Sequence, residues 1–95
     1  MKFMVSWRVH EDKRHVALKG FAGMSDEEAA NELGDLELIG RWHDLVGFTG
    51  VAIVETDDPG VLTTWLLKWN GIVDVESVPV LDDNEARELG RQALE

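Results

Sequence analysis

From Leu36 to Asp58 the chain carries two apolar strands joined by a short loop, and the rest of the sequence must pack around that hairpin. Val51, Ile53, Val54 and Thr56 are β-branched, and no charge falls between Asp44 and Glu55, which suits a pleated, buried surface. The loop ends at Gly47, a hairpin signal. Alternation places Phe48, Gly50, Ala52 and Val54 on one face and Thr49, Val51, Ile53 and Glu55 on the other. Both sets are mostly apolar. The second strand is therefore expected at the centre of a sheet, covered on both sides.

The flanking segments supply the remaining elements. Phe3, Val5, Trp7 and Val9 share one face of a first strand, and Met4, Ser6 and Arg8 share the mixed face. A helix is expected from Glu11 to Ala22. Arg14, Ala17, Leu18 and Phe21 recur at helical spacing, and Ala17, Leu18 and Phe21 form the buried stripe. Ser25-Asp26-Glu27-Glu28 has the form of a capping box and starts a short helix to Leu33. Its acids fit a solvated helix N-terminus better than a cation site, because neighbouring carboxylates point in different directions.

Asp58-Pro59 opens a better-defined helix in which Val61, Leu62, Trp65, Leu66 and Trp69 form a wide apolar stripe. Two tryptophans one turn apart read as core. Ile72 to Leu81 is an edge strand, marked by Asp74, Glu76 and Pro79. Asp82 or Asp83 then caps a thin helix over about 83–94, which would be marginal alone.

Strand, helix, strand, strand, helix, strand predicts an α+β fold: a ferredoxin-like βαββαβ two-layer sandwich with an antiparallel sheet and an extra C-terminal helix, one domain over 1–95. Right-handed crossovers place the first and third strands in the centre and the helices on one face. The other face would expose a large apolar surface, so a homodimer is expected.

Charge narrows the partners. Nine basic and 19 acidic side chains leave a formal charge of −10, so neither nucleic acid nor an anionic membrane is an expected partner. The absence of cysteine fits a reducing compartment. Without a signal-peptide core or a long apolar run, the expected location is cytoplasmic. No cofactor is expected: the sequence has no P-loop or GxGxxG motif, and no zinc-binding pattern. His10 and His15 are five apart, a poor spacing for sharing a metal on a helix.

Several segments also look familiar: Met1-Lys2-Phe3-Met4-Val5-Ser6-Trp7, Gly40-Arg41-Trp42-His43, Val54-Glu55-Thr56-Asp57-Asp58, Trp65-Leu66-Leu67-Lys68-Trp69 and Pro79-Val80-Leu81-Asp82-Asp83. They resemble an uncharacterised bacterial family, a domain of unknown function within the dimeric α+β barrel superfamily. The resemblance covers nearly the whole chain apart from the acidic Met24 to Asp35 insert. It implies a ferredoxin-like homodimer and carries no established reaction. The wider superfamily mixes cofactor-free monooxygenases, isomerases and lactone-processing enzymes with proteins of no known activity.

Arg41-Trp42-His43 is the densest chemical signal. On a strand, Arg41 and His43 share a face with apolar Ile39, and Trp42 points the other way. An apolar wall ending in a few convergent polar groups is the pattern of a ligand pocket. Arginine can hold a carboxylate or enolate, and a neutral imidazole can act as a base. The pocket is expected on the open sheet face, with Ser6, Arg8 or Glu55 within reach and Trp42 among the helices. That placement assumes that Arg41 and His43 align with Thr49, Val51, Ile53 and Glu55. In the bland alternative, Arg41 pairs with a carboxylate and His43 sits at an exposed hairpin tip. Two functions stay open: a protein with a small-molecule pocket, enzymatic or not, and a non-catalytic module docking a basic partner protein. The second draws on Asp26 to Glu37, which holds six acids and no base.

Overall fold

The computed structural model describes every residue from Met1 to Glu95. Its strands are β1 (Lys2–Val9), β2 (Glu37–Asp44), β3 (Thr49–Glu55) and β4 (Val73–Val80). A 3₁₀ turn at Glu11–Lys13 leads into α1 (Arg14–Ala22), followed by α2 (Asp26–Leu33), α3 (Pro59–Trp69) and α4 (Asp83–Ala93). The sheet order is β2-β3-β1-β4, with every neighbouring pair antiparallel. This is the α+β, ferredoxin-like arrangement that the element order predicts. No helix is long and apolar enough to cross a membrane.

Local chemistry sets the helix boundaries. Ser25 Oγ accepts the Glu28 N–H at 3.1 Å and starts α2. Asp58 Oδ1 accepts the Gly60 N–H at 2.8 Å and starts α3, with Pro59 in the first turn. Asp82 and Glu85 form a reciprocal capping box for α4. Each such cap is worth about 1 kcal/mol.

The core sits between α3 and the sheet. Val5, Leu36, Ala52, Val54, Leu62 and Trp65 form one buried cluster, with Phe3, Trp7 and Trp69 packed against it. α1 behaves differently. None of its residues is buried, and the Ala17, Leu18, Phe21 stripe faces a cavity instead of the sheet surface. α4 is exposed along its whole length.

Three expectations need correction. β3 is central, but only its Ala52/Val54 face is covered within the chain; Val51 and Ile53 remain partly exposed. The hairpin turn extends through Phe48, which takes the left-handed conformation (φ 54°) expected at a glycine. Asp44 Oδ1 organises the turn by accepting the Val46 and Gly47 amides at 3.1 and 2.9 Å.

The third correction concerns register. Leu38 pairs with Val54, but Gly40 pairs with Ile53, so Ile39 is the extra residue of a β-bulge. A bulge shifts the side-chain phase by one. Arg41 therefore lies beside Ala52 and His43 beside Gly50, on the face that α1 and α3 cover. Trp42, paired with Val51, turns to the open face and is 60% exposed.

Candidate functional site

A cavity of about 110 Å³ lies between the sheet and helices α1 and α3. That is several times the roughly 10–15 Å³ that a single water needs. Fourteen of its 18 lining residues are hydrophobic, which makes apolar contact its main attraction. β1 contributes Val5, Trp7 and Val9; α1 contributes Ala17, Leu18 and Phe21; α3 contributes Trp65, Leu66 and Trp69. Val5, Trp65 and Val73 are buried, whereas Leu18, Phe21, His43 and Leu45 are exposed. The mouth thus lies between α1 and the β2–β3 turn.

The polar groups gather at that mouth. Arg41 and His43 project from alternate positions of β2, with Asp44 and Thr49 beside them. The His43 ring meets Phe21 at 4.4 Å between centroids and Trp7, edge-on, at 5.7 Å. The Arg41 guanidinium stands over the Phe21 ring at 5.8 Å, and Arg14 stands over Phe48 at 5.1 Å. Such cation–ring contacts contribute roughly 0.5–1 kcal/mol at exposed sites. Arg14 Nε and Trp65 Nε1 are buried without acceptors.

Of the five residues singled out from the sequence, the fold brings only Arg41 and His43 together. Ser6 and Arg8 alternate with Val5, Trp7 and Val9 on β1 and so face away from the cavity. Glu55 lies at the far end of β3, bound to the Met1 amine at 2.9 Å and to Lys2 at 3.5 Å. Chiefly the Met1 ammonium holds its carboxyl below the usual range. Of the histidines set aside as metal ligands, His10 meets Asp74 at 3.0 Å.

Partial burial, and secondarily the Arg41 charge, hold His43 below the ordinary imidazole value of 6.5. Between the folded and unfolded values the unfolded chain binds more protons. This contribution to stability is therefore complete above pH 6.5 and is lost as pH falls through the folded value. Urea midpoints at about pH 7.5 and pH 5 should consequently fall more for wild type than for His43→Gln. Equal falls in the two proteins would place His43 in bulk solvent.

The aromatic lining escaped the sequence reading. Trp7, Phe21, Trp65 and Trp69 all lie on stripes assigned to core, and periodicity cannot tell a packed wall from a cavity wall. One signal was present. Arg14 occupies the same helical stripe as Ala17, Leu18 and Phe21, and a cation there is out of place in a packed core.

Sheet order, helix layer and cavity define a ferredoxin-like α+β domain with an apolar, aromatic-lined recess. The chain belongs to a family described as a domain of unknown function (DUF3303), which matches residues 1–94. No curated protein matches it.

Proposed function

We propose that the protein is a small-molecule-binding domain whose ligand occupies the cavity between α1, α3 and the sheet. The observation that carries this is the aromatic-lined cavity with Arg41 and His43 at its mouth. No α1 residue is buried, and its apolar Ala17, Leu18 and Phe21 line the cavity, where a ligand would supply close packing. The acidic segment has a local account that weakens the basic-partner reading: Glu32 accepts the Trp69 indole N–H, its carbonyl accepts Lys68 at 2.7 Å, and Glu28 takes part in the α2 cap.

Thermal shift against a panel of small aromatic and aliphatic compounds tests the reading. A ligand at about 100 times its Kd should raise Tm by about 10 °C. Leu18→Trp, which fills the cavity from α1, should remove the shift while the variant stays folded. No responding compound, or equal shifts in the filled variant, would sink it.

The open sheet face is proposed to pair with a second copy, as in dimeric α+β barrels. Met4, Ile39, Trp42 and Val78 are exposed hydrophobics on strands of this sheet. The chain exposes 6694 Å², whereas a monomer of its mass should expose about 5,500 Å². The excess, about 1,200 Å² shared between this face and the fully exposed α4, is more than the roughly 800 Å² that each partner buries in a stable complex. Its radius of gyration of 15.4 Å also exceeds the roughly 12.4 Å of a compact domain. Light scattering at micromolar concentration should give twice 10.6 kDa, and Trp42→Glu should shift the equilibrium to monomer. A wild-type species of 10.6 kDa alone would remove the dimer.

A further inference from the structure

We infer that the cavity selects an aromatic carboxylate, with its ring between Trp7, Phe21 and Trp69 and its anionic group on Arg41. This rests on the cavity reading and adds the chemical class of the ligand.

Charge carries the first part. The chain has 19 acidic residues against nine basic ones, so a cation would be expected to find a carboxylate. The six ion pairs use Met1, Lys2, His10, Arg87 and Arg91, and none uses Arg41 or Arg14. Both guanidiniums stand over rings that line the cavity, Phe21 and Phe48. Helix α1 (Arg14–Ala22) carries Arg14 and Lys19 and no acid, while Glu11 and Asp12 lie in the 3₁₀ turn before it. Asp44 is the one acidic lining residue, and its Oδ1 is already taken by the Val46 and Gly47 amides. Around the mouth two guanidiniums, Arg41 and Arg14, thus stand against the single Asp44 carboxylate, and a planar guanidinium matches a carboxylate in two-point geometry.

Ring chemistry carries the second part. Three of the four tryptophans and two of the three phenylalanines line this one space. Rings attract other rings edge-on or offset, beyond the area they bury. An aliphatic acid would gain only the burial.

The experiment is isothermal titration of the full chain with naphthalene-2-carboxylate and with naphthalene-2-carboxamide, its uncharged counterpart. The carboxylate should bind at least about tenfold more tightly, as expected for a charge-assisted contact. Arg41→Gln should erase that preference, bringing the two affinities within about threefold of each other. On wild-type protein, raising salt to about 0.3 M should shrink the preference, which tests the charge without any variant. Octanoate should bind more weakly than the naphthoate. Equal affinities for the two naphthalene probes, or a preference that survives Arg41→Gln, overturns the anion assignment and leaves the cavity reading standing. Octanoate binding as tightly overturns the aromatic part. If no probe binds, the aromatic-carboxylate assignment falls, and the thermal-shift panel with Leu18→Trp decides the cavity reading separately.

Discussion

Replacing Trp65 by alanine should lower stability by about 3–5 kcal/mol. The indole is 4% exposed and sits in the cluster with Val5, Leu36, Ala52, Val54 and Leu62. Removing it would leave a void that merges with the existing cavity, so little collapse can compensate. Domains of this size have only about 5–15 kcal/mol in total, so the variant should be marginal at 37 °C. Trp65→Phe provides the contrast. It keeps an aromatic ring in place and removes an N–H that is buried without an acceptor, which offsets part of the cost of the lost ring, so its cost should be about 1–2 kcal/mol. Urea midpoints with unchanged m-values would measure both. An alanine variant that loses under about 1 kcal/mol would move the core away from α3.

Gly50→Val should cost about 3 kcal/mol, at the upper end for overpacking. Gly50 lies between His43 and Trp7 in the sheet. The Trp7 indole crosses over it, and the Trp7 and His43 ring centroids lie 5.7 Å apart. A Cβ at Gly50 would fall 2.5 Å from Trp7 Cε2 and 2.9 Å from the Trp42 carbonyl oxygen. The ring would have to leave the cavity wall, and the carbonyl cannot retreat without disturbing the β2–β3 ladder. Ligand binding should be lost together with stability. Gly40→Ala is the control. There the nearest atoms belong to the Trp42 side chain, which is 60% exposed and free to swing into solvent. That change should cost under about 1 kcal/mol in the isolated chain. Similar costs at the two glycines would mean that Trp7 does not depend on the bare Gly50 surface.

The contrast between these glycines shows how far the sequence alone could reach. Each strand and helix follows from short-range pattern. Phe3, Val5, Trp7 and Val9 alternate at the strand period; Leu62, Trp65, Leu66 and Trp69 recur at the helical one. Ser25, Asp58 and Asp82 mark helix starts because their side chains reach amides two or three residues ahead. Chain order and crossover handedness then restrict the topology to very few arrangements. The observed order, β2-β3-β1-β4, is the one they favour.

Arg41 and His43 were legible as a pair, because a period of two puts them on one side wherever the strand lies. Which side was not legible. Both faces of β3 are apolar, so no hydrophobic pattern discriminates between the two alignments. The bulge at Ile39 then decides the phase through pairing with Val54 and Ile53. The position of α1 over the sheet is likewise set by long-range contacts, Phe21 with His43 and Arg41, and Arg14 with Phe48. Periodicity, capping and composition are properties of neighbours in sequence, and they determined the elements, their order and the acidic surface. The bulge, the side on which Arg41 stands and the space beneath α1 arise between residues far apart in the chain. Only the tertiary structure decided those, because register and packing are set by which distant side chains meet.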